Sequence, residues 1–153
     1  MPARRRGATT LGAMDYEGLT YAVIGGALRV HAALGPGFLE SVYQNALAHE
    51  LRAAGVPFAC GHPLRVRYRG VVVGEFVADV LVDGVVLVEN KATRALTAAH
   101  EAQLLNYLAA TGVEIGLLLN FGAERLEVRR MTRAYRTRDV RPGREILERG
   151  CTG

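Results

Sequence analysis

Cysteine, lysine and long apolar runs are all scarce in this sequence of 153 residues. Its two cysteines, Cys60 and Cys151, are too few for a disulfide scaffold, a four-thiolate zinc site or an iron–sulfur cluster, so we expect a reducing, cytoplasmic compartment. Arg29 and His31 interrupt the most apolar segment, and no run approaches the ~20 residues of a membrane span. No apolar run with a cleavage site follows Arg4–Arg6, so a secretory signal is not expected.

The composition is that of a globular domain, with 50% hydrophobic and 22% charged residues. Positive charge is concentrated at the two ends, since residues 1–14 carry three Arg and no acid and residues 125–153 carry nine Arg against four acids. We therefore predict a basic, disordered extension over 1–14, one domain over 15–131 and an Arg-rich tail over 132–153. Such ends suit a polyanionic partner, although a merely solubilising fringe explains them equally well.

Hydrophobic periodicity separates the helices from the strands. Thr97 is a candidate helix N-cap, and Gly112 follows the end of the same helix. The helices are predicted over 15–34, 38–54 and 97–111, and the strands over 63–69, 71–82, 85–91, 114–120 and 125–131. This order is typical of a mixed α/β sheet domain.

Three charged residues lie within apolar strand segments. Asp79 is in mid-strand, whereas Glu89 and Lys91 are two apart on the next strand and therefore share a face. Burying such groups is costly unless they are paired or bind a cation. Two acids and an amine on neighbouring strands suit a divalent metal that positions a water beside a phosphodiester, and Lys91 is the single Lys among nineteen basic residues.

The Asp-Gly turn between these two strands decides whether the acids meet. A two-residue loop would send Asp79 to the face opposite Glu89. A three-residue loop over 82–84, with its glycine left-handed in a bulge, pairs Leu81 with Val85 and keeps both acids on one face. We predict the three-residue loop.

Two helices contribute further polar side chains. Glu40 falls within the broad apolar arc of 38–54. On the helix over 97–111, His100, Gln103 and Tyr107 form one polar stripe.

Four motifs in this order resemble a known family. The segment GFLESVY at 37–43 is similar to the pattern of the GxxExxY protein family, and 78–91 resembles the acidic core of the PD-(D/E)XK nuclease superfamily to which that family is assigned. The segments 100–107 and 116–122 resemble the helix and closing strand that follow this core. The resemblance covers roughly 15–124.

The resemblance implies a restriction-endonuclease-like fold. Its core has, in chain order, a helix, a three-stranded antiparallel meander, a second helix and a further strand. The strands form a mixed sheet that is flanked by the helices. It implies that Asp79 and Glu89 ligate Mg²⁺ or Mn²⁺, with the main-chain carbonyl of Asn90 as a further candidate. Lys91 would orient or deprotonate the attacking water, and Glu40 would add a ligand or water contact. The reaction would be in-line hydrolysis of a phosphodiester.

The nucleic-acid substrate, most simply DNA, would be held by other residues. The resemblance implies that Gln103, with Tyr107 behind it, contacts the nucleic-acid backbone or supports the metal shell. Arg65, Arg67 and Arg69 alternate along the strand predicted over 63–69 and would follow phosphates, although a solvated strand face accounts for them equally. No membrane partner is expected, and a domain of this size usually needs a homodimer or a partner protein to grip a duplex.

Two other interpretations remain open from the sequence. The charged strand residues would form a buried salt-bridge cluster in a purely structural domain. A catalytically silent nucleic-acid- or protein-binding module would keep the fold without turnover. The nuclease hypothesis predicts that the side-chain tips of Asp79, Glu89, Lys91 and Glu40 converge in one cleft within ~4–8 Å.

Overall fold

The computed structural model describes residues 14–133. The predicted basic extension and Arg-rich tail therefore lie outside the described residues, apart from Met14, Thr132 and Arg133. Three helices and five strands follow one another: α1 (Tyr16–Leu34), α2 (Glu40–Ala53), β1 (Phe58–Tyr68), β2 (Val71–Val82), β3 (Val86–Lys91), α3 (Ala98–Thr111), β4 (Ile115–Asn120) and β5 (Glu127–Thr132). Among these described helices, none is both long and apolar enough to cross a membrane.

Local side-chain chemistry explains where the helices begin and end. The Asp15 carboxylate accepts a hydrogen bond from the backbone N–H of Gly18 at 2.8 Å and caps α1. Thr97 caps α3 as predicted, since its hydroxyl accepts from the backbone N–H of His100. Gly112 ends α3 in the left-handed region, where glycine carries no steric penalty.

The five strands form one mixed sheet in the order β1-β2-β3-β4-β5. The first three strands make the predicted antiparallel meander, and β5 is antiparallel to β4. Strand β4 runs parallel to β3, with α3 as the crossover between them. The predicted fold class is confirmed.

Helices cover both faces of the sheet. Helices α1 and α2 pack on one face around Tyr43, Leu47 and Phe121, all fully buried. Helix α3 packs on the other face through Leu104 and Leu108. Two apolar layers therefore enclose the central strands, and any charge on β3 must be accommodated within them.

The β1–β2 hairpin is longer than the sequence indicated. Strand β1 begins at Phe58 rather than at residue 63, because Pro63 is tolerated on a strand at the edge of a sheet. The prediction that Arg69 lies on the strand with the other arginines is wrong. Arg69 and Gly70, with φ of 48° and 79°, form the hairpin turn instead.

The β2–β3 loop has three residues, as predicted, but it lies one residue further along the chain. Val82 pairs with Val86, so the loop is 83–85, and the predicted pairing of Leu81 with Val85 is wrong. The Asp-Gly dipeptide takes the two left-handed turn positions by itself, with φ of 50° and 69°, which leaves Val85 as the extra residue. An odd loop of either register puts Asp79 and Glu89 on one face, and the observed register sets them directly opposite each other.

Candidate active site

The acidic pair lies where strands β2 and β3 separate. The last backbone pair of their ladder is Val80 with Val88, one step before Asp79 and Glu89. Beyond it, the Asp79 carboxylate accepts a hydrogen bond from the backbone N–H of Asn90 at 2.7 Å. The Glu89 carboxyl group accepts one from the backbone N–H of Asp79. Side chains therefore replace the ladder at this point and hold both acids in place.

Helix α2 supplies a third hydrogen bond that sequence reasoning missed. Gln44 Nε2 donates to the backbone carbonyl of Asp79 at 3.2 Å. Gln44 is half-buried and follows the GxxExxY segment directly, but nothing in its spacing distinguishes it from an ordinary helix glutamine. Its role depends on α2 packing over the separated strands.

Burial raises the pKa values of both acids, and the charge of Asp79 raises that of Glu89 further. Desolvation, followed by the nearby charge of Asp79, raises the pKa of Glu89 to about 8. Desolvation also raises the pKa of Asp79, against the hydrogen bond from Asn90 and the Lys91 charge. Without a cation, the raised pKa favours the protonated Glu89 carboxyl group, which donates a side-chain hydrogen bond to Asp79.

Helix α3 brings Gln103 and Tyr107 to the same site. Desolvation, followed by the negative charge of Glu89, raises the pKa of the Tyr107 hydroxyl, and a Gln103 side-chain hydrogen bond opposes this shift. The Tyr107 ring stacks on Phe76 of β2 with centroids 3.7 Å apart. Tyr107 thus lies beside the acidic pair on the α3 side, with the Gln103 side chain bonded to it.

Glu40 is not brought to the acidic pair. It is the exposed first residue of α2, outside the buried apolar arc in which the sequence placed it. Within residues 14–133, no group of three or more His, Cys, Asp or Glu side chains is arranged to hold a metal ion. The structure therefore brings together Asp79, Glu89 and Lys91, while the predicted convergence with Glu40 is not seen.

The predicted arginine stripe has individual contacts in the hairpin. Arg65 forms an ion pair with Glu75 on β2 at 3.6 Å. The Arg69 guanidinium lies over the Tyr68 ring, 5.3 Å from its centroid. Arg65 and Arg67 are both exposed on one face of β1.

Two further buried or capping side chains have structural roles. Tyr43, in the GxxExxY segment, is fully buried, and its hydroxyl donates to the carbonyl of Gly35 at 2.6 Å. The His100 ring nitrogen Nδ1 accepts from the backbone N–H of Thr97, which completes the cap of α3. His100 is therefore a backbone-bonding residue.

A buried asparagine fixes the loop that follows Lys91. The side chain of Asn120 accepts from the N–H groups of Thr93 and Gly122 and donates to the Thr93 carbonyl and to Glu127. All its polar atoms are paired although it is fully buried. The end of β3, and with it Lys91, is thereby tied to β4.

The arrangement fits a divalent cation. The Glu89 oxygen Oε1 is buried without a hydrogen-bond partner, which is the state expected of a ligand atom. Two facing carboxylates repel each other unless a proton or a cation lies between them. Mg²⁺ is commonly held by one or two carboxylates, with waters and substrate phosphates completing its shell. Asp79 and Glu89 would hold the ion, and Lys91 lies beside them.

The sheet is mixed and has helices on both faces, and two acids and a lysine lie where two of its strands separate. These features are those of a nuclease-like α/β domain. A family model described as the PD-(D/E)XK nuclease superfamily matches residues 17–131. The chain belongs to this superfamily. The narrower resemblance to GxxExxY proteins stays a prediction.

Among solved structures, the chain is similar to one titled "Crystal structure of SSO0001", with a TM-score of 0.50 and 19% identity. The match covers 61% of this chain and 50% of that one, so the chain spans about half the length of that protein. At this identity the likeness concerns the fold alone. No curated protein matches the chain significantly.

Proposed function

We propose that the protein is a metal-dependent nuclease that hydrolyses phosphodiester bonds of nucleic acid, with DNA as the substrate. The observation that carries this proposal is the facing Asp79–Glu89 pair, half-buried and buried respectively, with the Lys91 ammonium group beside it. A structural salt bridge needs one acid for one amine, whereas a second acid adds repulsion that only a proton or a cation relieves.

The residues divide the chemistry among them. Asp79 and Glu89 would hold Mg²⁺ or Mn²⁺, which when bound neutralises charge that develops on the phosphate. Lys91 orients the attacking water and stabilises negative charge in the transition state. Gln103 and Tyr107 position the nucleic-acid backbone. Glu40 lies one helical turn before Gln44 on α2. We propose that it contacts the metal site through a water molecule.

The test is cleavage of plasmid and oligonucleotide DNA and of RNA, with Mg²⁺ or Mn²⁺ and with chelator. We expect metal-dependent cleavage that falls by about a thousandfold or more in Asp79→Ala and in Lys91→Ala, because each removes charge stabilisation at the phosphate. Binding in chelator should persist in Lys91→Met, which keeps the length of the side chain. Glu124→Ala, at an exposed loop position, is the control.

The outcomes separate the candidate functions. Binding without cleavage of any substrate would favour the catalytically silent module. Absence of binding and cleavage in a folded protein would favour the structural domain. Cleavage that survives Asp79→Ala would contradict the proposed site.

A further inference from the structure

The outer half of the β1–β2 hairpin extends beyond the main sheet. The β2–β3 ladder covers only Val80–Val82, whereas the β1–β2 ladder continues to the pair of Tyr68 with Val71. We call residues 62–78 the outer ribbon. One face of its base rests on α3, since Leu64 joins the α3 cluster and Phe76 stacks on Tyr107. An isolated two-stranded ribbon is only marginally stable, so this support keeps it in place.

The free end of the outer ribbon exposes apolar side chains. Tyr68, Val71 and Val73 are each at least 60% exposed. A cluster of exposed apolar residues of this kind is typical of a binding surface.

The charge of the outer ribbon indicates the kind of partner. It contains three Arg and one Glu, and that Glu75 is already paired with Arg65. A second copy would bring the arginines of both ribbons together, which is unfavourable. A polyanion is complementary to them.

We propose that the outer ribbon grips duplex nucleic acid, with its arginines on the phosphates and the apolar Tyr68–Val71 end in a groove. The major groove of B-form DNA is wide enough for a two-stranded ribbon. The Arg69 guanidinium covers one face of the Tyr68 ring and adds a cation beside it.

The outer ribbon also leads to the acidic pair. Asp79 follows it directly on β2, and Phe76 contacts Tyr107, which lines the pair. From Asp79 to Val71 the strand spans about 26 Å, roughly eight base-pair steps. The inference rests on the proposed nuclease function and adds the element that selects duplex over single strand.

The test measures fluorescence anisotropy of a labelled duplex and of its separated strand in chelator, where no cleavage occurs. Tyr68→Ser/Val71→Ser should weaken duplex binding by about tenfold, because the apolar contact of the ribbon end with the groove is lost, and change single-strand binding much less. Tyr21→Ser, which alters a tyrosine 82% exposed on α1, is the matched control and should bind like the parent protein.

A salt series tests the arginines separately. Arg67→Gln/Arg69→Gln should reduce the slope of log affinity against log salt by about two, one for each lost phosphate contact. Arg125→Gln, at an exposed position after β4, should leave the slope unchanged. Circular dichroism verifies that each variant is folded.

Three results would overturn the inference. One is unchanged duplex affinity in the ribbon variants, and another is an equal loss for duplex and single strand. The third is a dimer that becomes a monomer in the Tyr68→Ser/Val71→Ser variant by light scattering, which would assign the ribbon to self-association. If the protein cleaves with metal but the ribbon variants bind nucleic acid as the parent does, only the ribbon inference is contradicted. If the ribbon variants lose binding but the parent cleaves no substrate, only the proposed nuclease function is contradicted.

Discussion

The two carboxyl groups at the β2–β3 separation are held by hydrogen bonds from the backbone and between each other, and by the nearby charge of Lys91. Asp79 accepts from Asn90, Glu89 accepts from Asp79, and Gln44 donates to the Asp79 carbonyl. The buried and unpartnered Oε1 of Glu89 is the exception. Hydrogen bonds therefore fix the position of both carboxyl groups, but one oxygen of Glu89 has no partner.

Replacing Glu89 with Gln should change the pH dependence of stability. Because the pKa of Glu89 is about 8 in the fold against an ordinary 4.5, the protonated group stabilises the fold. This stability is fully present below pH 4.5 and is lost as the pH rises through 8. The side chain in Glu89→Gln stays neutral at every pH. Without metal, the melting temperature of the variant minus that of the parent protein should therefore increase from acidic to alkaline pH.

Thermal melts across this pH range, in chelator, measure the difference. Glu124→Gln at an exposed position is the control and should follow the parent at every pH. A constant offset between Glu89→Gln and the parent would contradict the raised pKa.

Replacing Gln44 with Leu tests its positioning role. The variant keeps the packing volume but removes the donor to the Asp79 carbonyl, so we expect a loss of about 1 kcal/mol in unfolding free energy. Because Asp79 loses a positioning contact, Mn²⁺ affinity by titration calorimetry should fall by about tenfold. Asn45→Ala, at the exposed neighbouring position, should change neither. Unchanged Mn²⁺ affinity in a less stable Gln44→Leu would limit Gln44 to a structural role.

At the scale of elements, the ends of β3 and β4 are held together by side chains. Strand β3 carries Glu89 and Lys91 at its end, and Asn120 at the end of β4 pairs with both backbone groups of Thr93. Gly122 permits this approach, since a Cβ there would lie 2.4 Å from the Thr93 backbone. The loop after β3 is therefore held in place by these contacts.

Asn120→Leu should destabilise the protein strongly. The substitution is similar in volume but leaves buried groups of Thr93 and Gly122 without partners, which costs about 3 kcal/mol or more. Urea unfolding measures this loss, and Asn106→Leu on the exposed side of α3 is the control. A loss below about 1 kcal/mol would mean that water replaces the asparagine.

At the scale of the whole molecule, the acidic pair lies between two apolar layers, so a bound cation should be linked to global stability. Mn²⁺ at about a hundred times its dissociation constant should contribute about 2.7 kcal/mol, which raises the melting temperature by roughly 5–10 °C. The effect should be larger at pH 8 than at pH 5, because the ion binds the deprotonated carboxylates.

Thermal melts with Mn²⁺ and with chelator provide this measurement. Asp79→Asn should abolish the Mn²⁺ effect while leaving the apo protein folded. An equal rise in Asp79→Asn would place the ion elsewhere on the molecule.

The element order, the caps of α3 and the acid–acid–lysine set can all be predicted from the amino-acid sequence. Each depends on local periodicity or on residue types that are costly to bury, and both signals lie within a short stretch of chain. The parity of the β2–β3 loop was also predictable, because alternation along a strand allows only an odd loop to join Asp79 and Glu89 on one face.

The contacts that hold those groups depend on how distant segments pack. Gln44 and Asn120 act through contacts 35 and 27 residues away along the chain, to Asp79 and Thr93 respectively, which no local pattern indicates. The position of Glu40 outside the acidic pair and of Arg69 in a turn likewise depends on helix packing and strand register. The sequence gives the types of the side chains, but packing between distant segments sets the distances among them. Those distances decide what the site can bind.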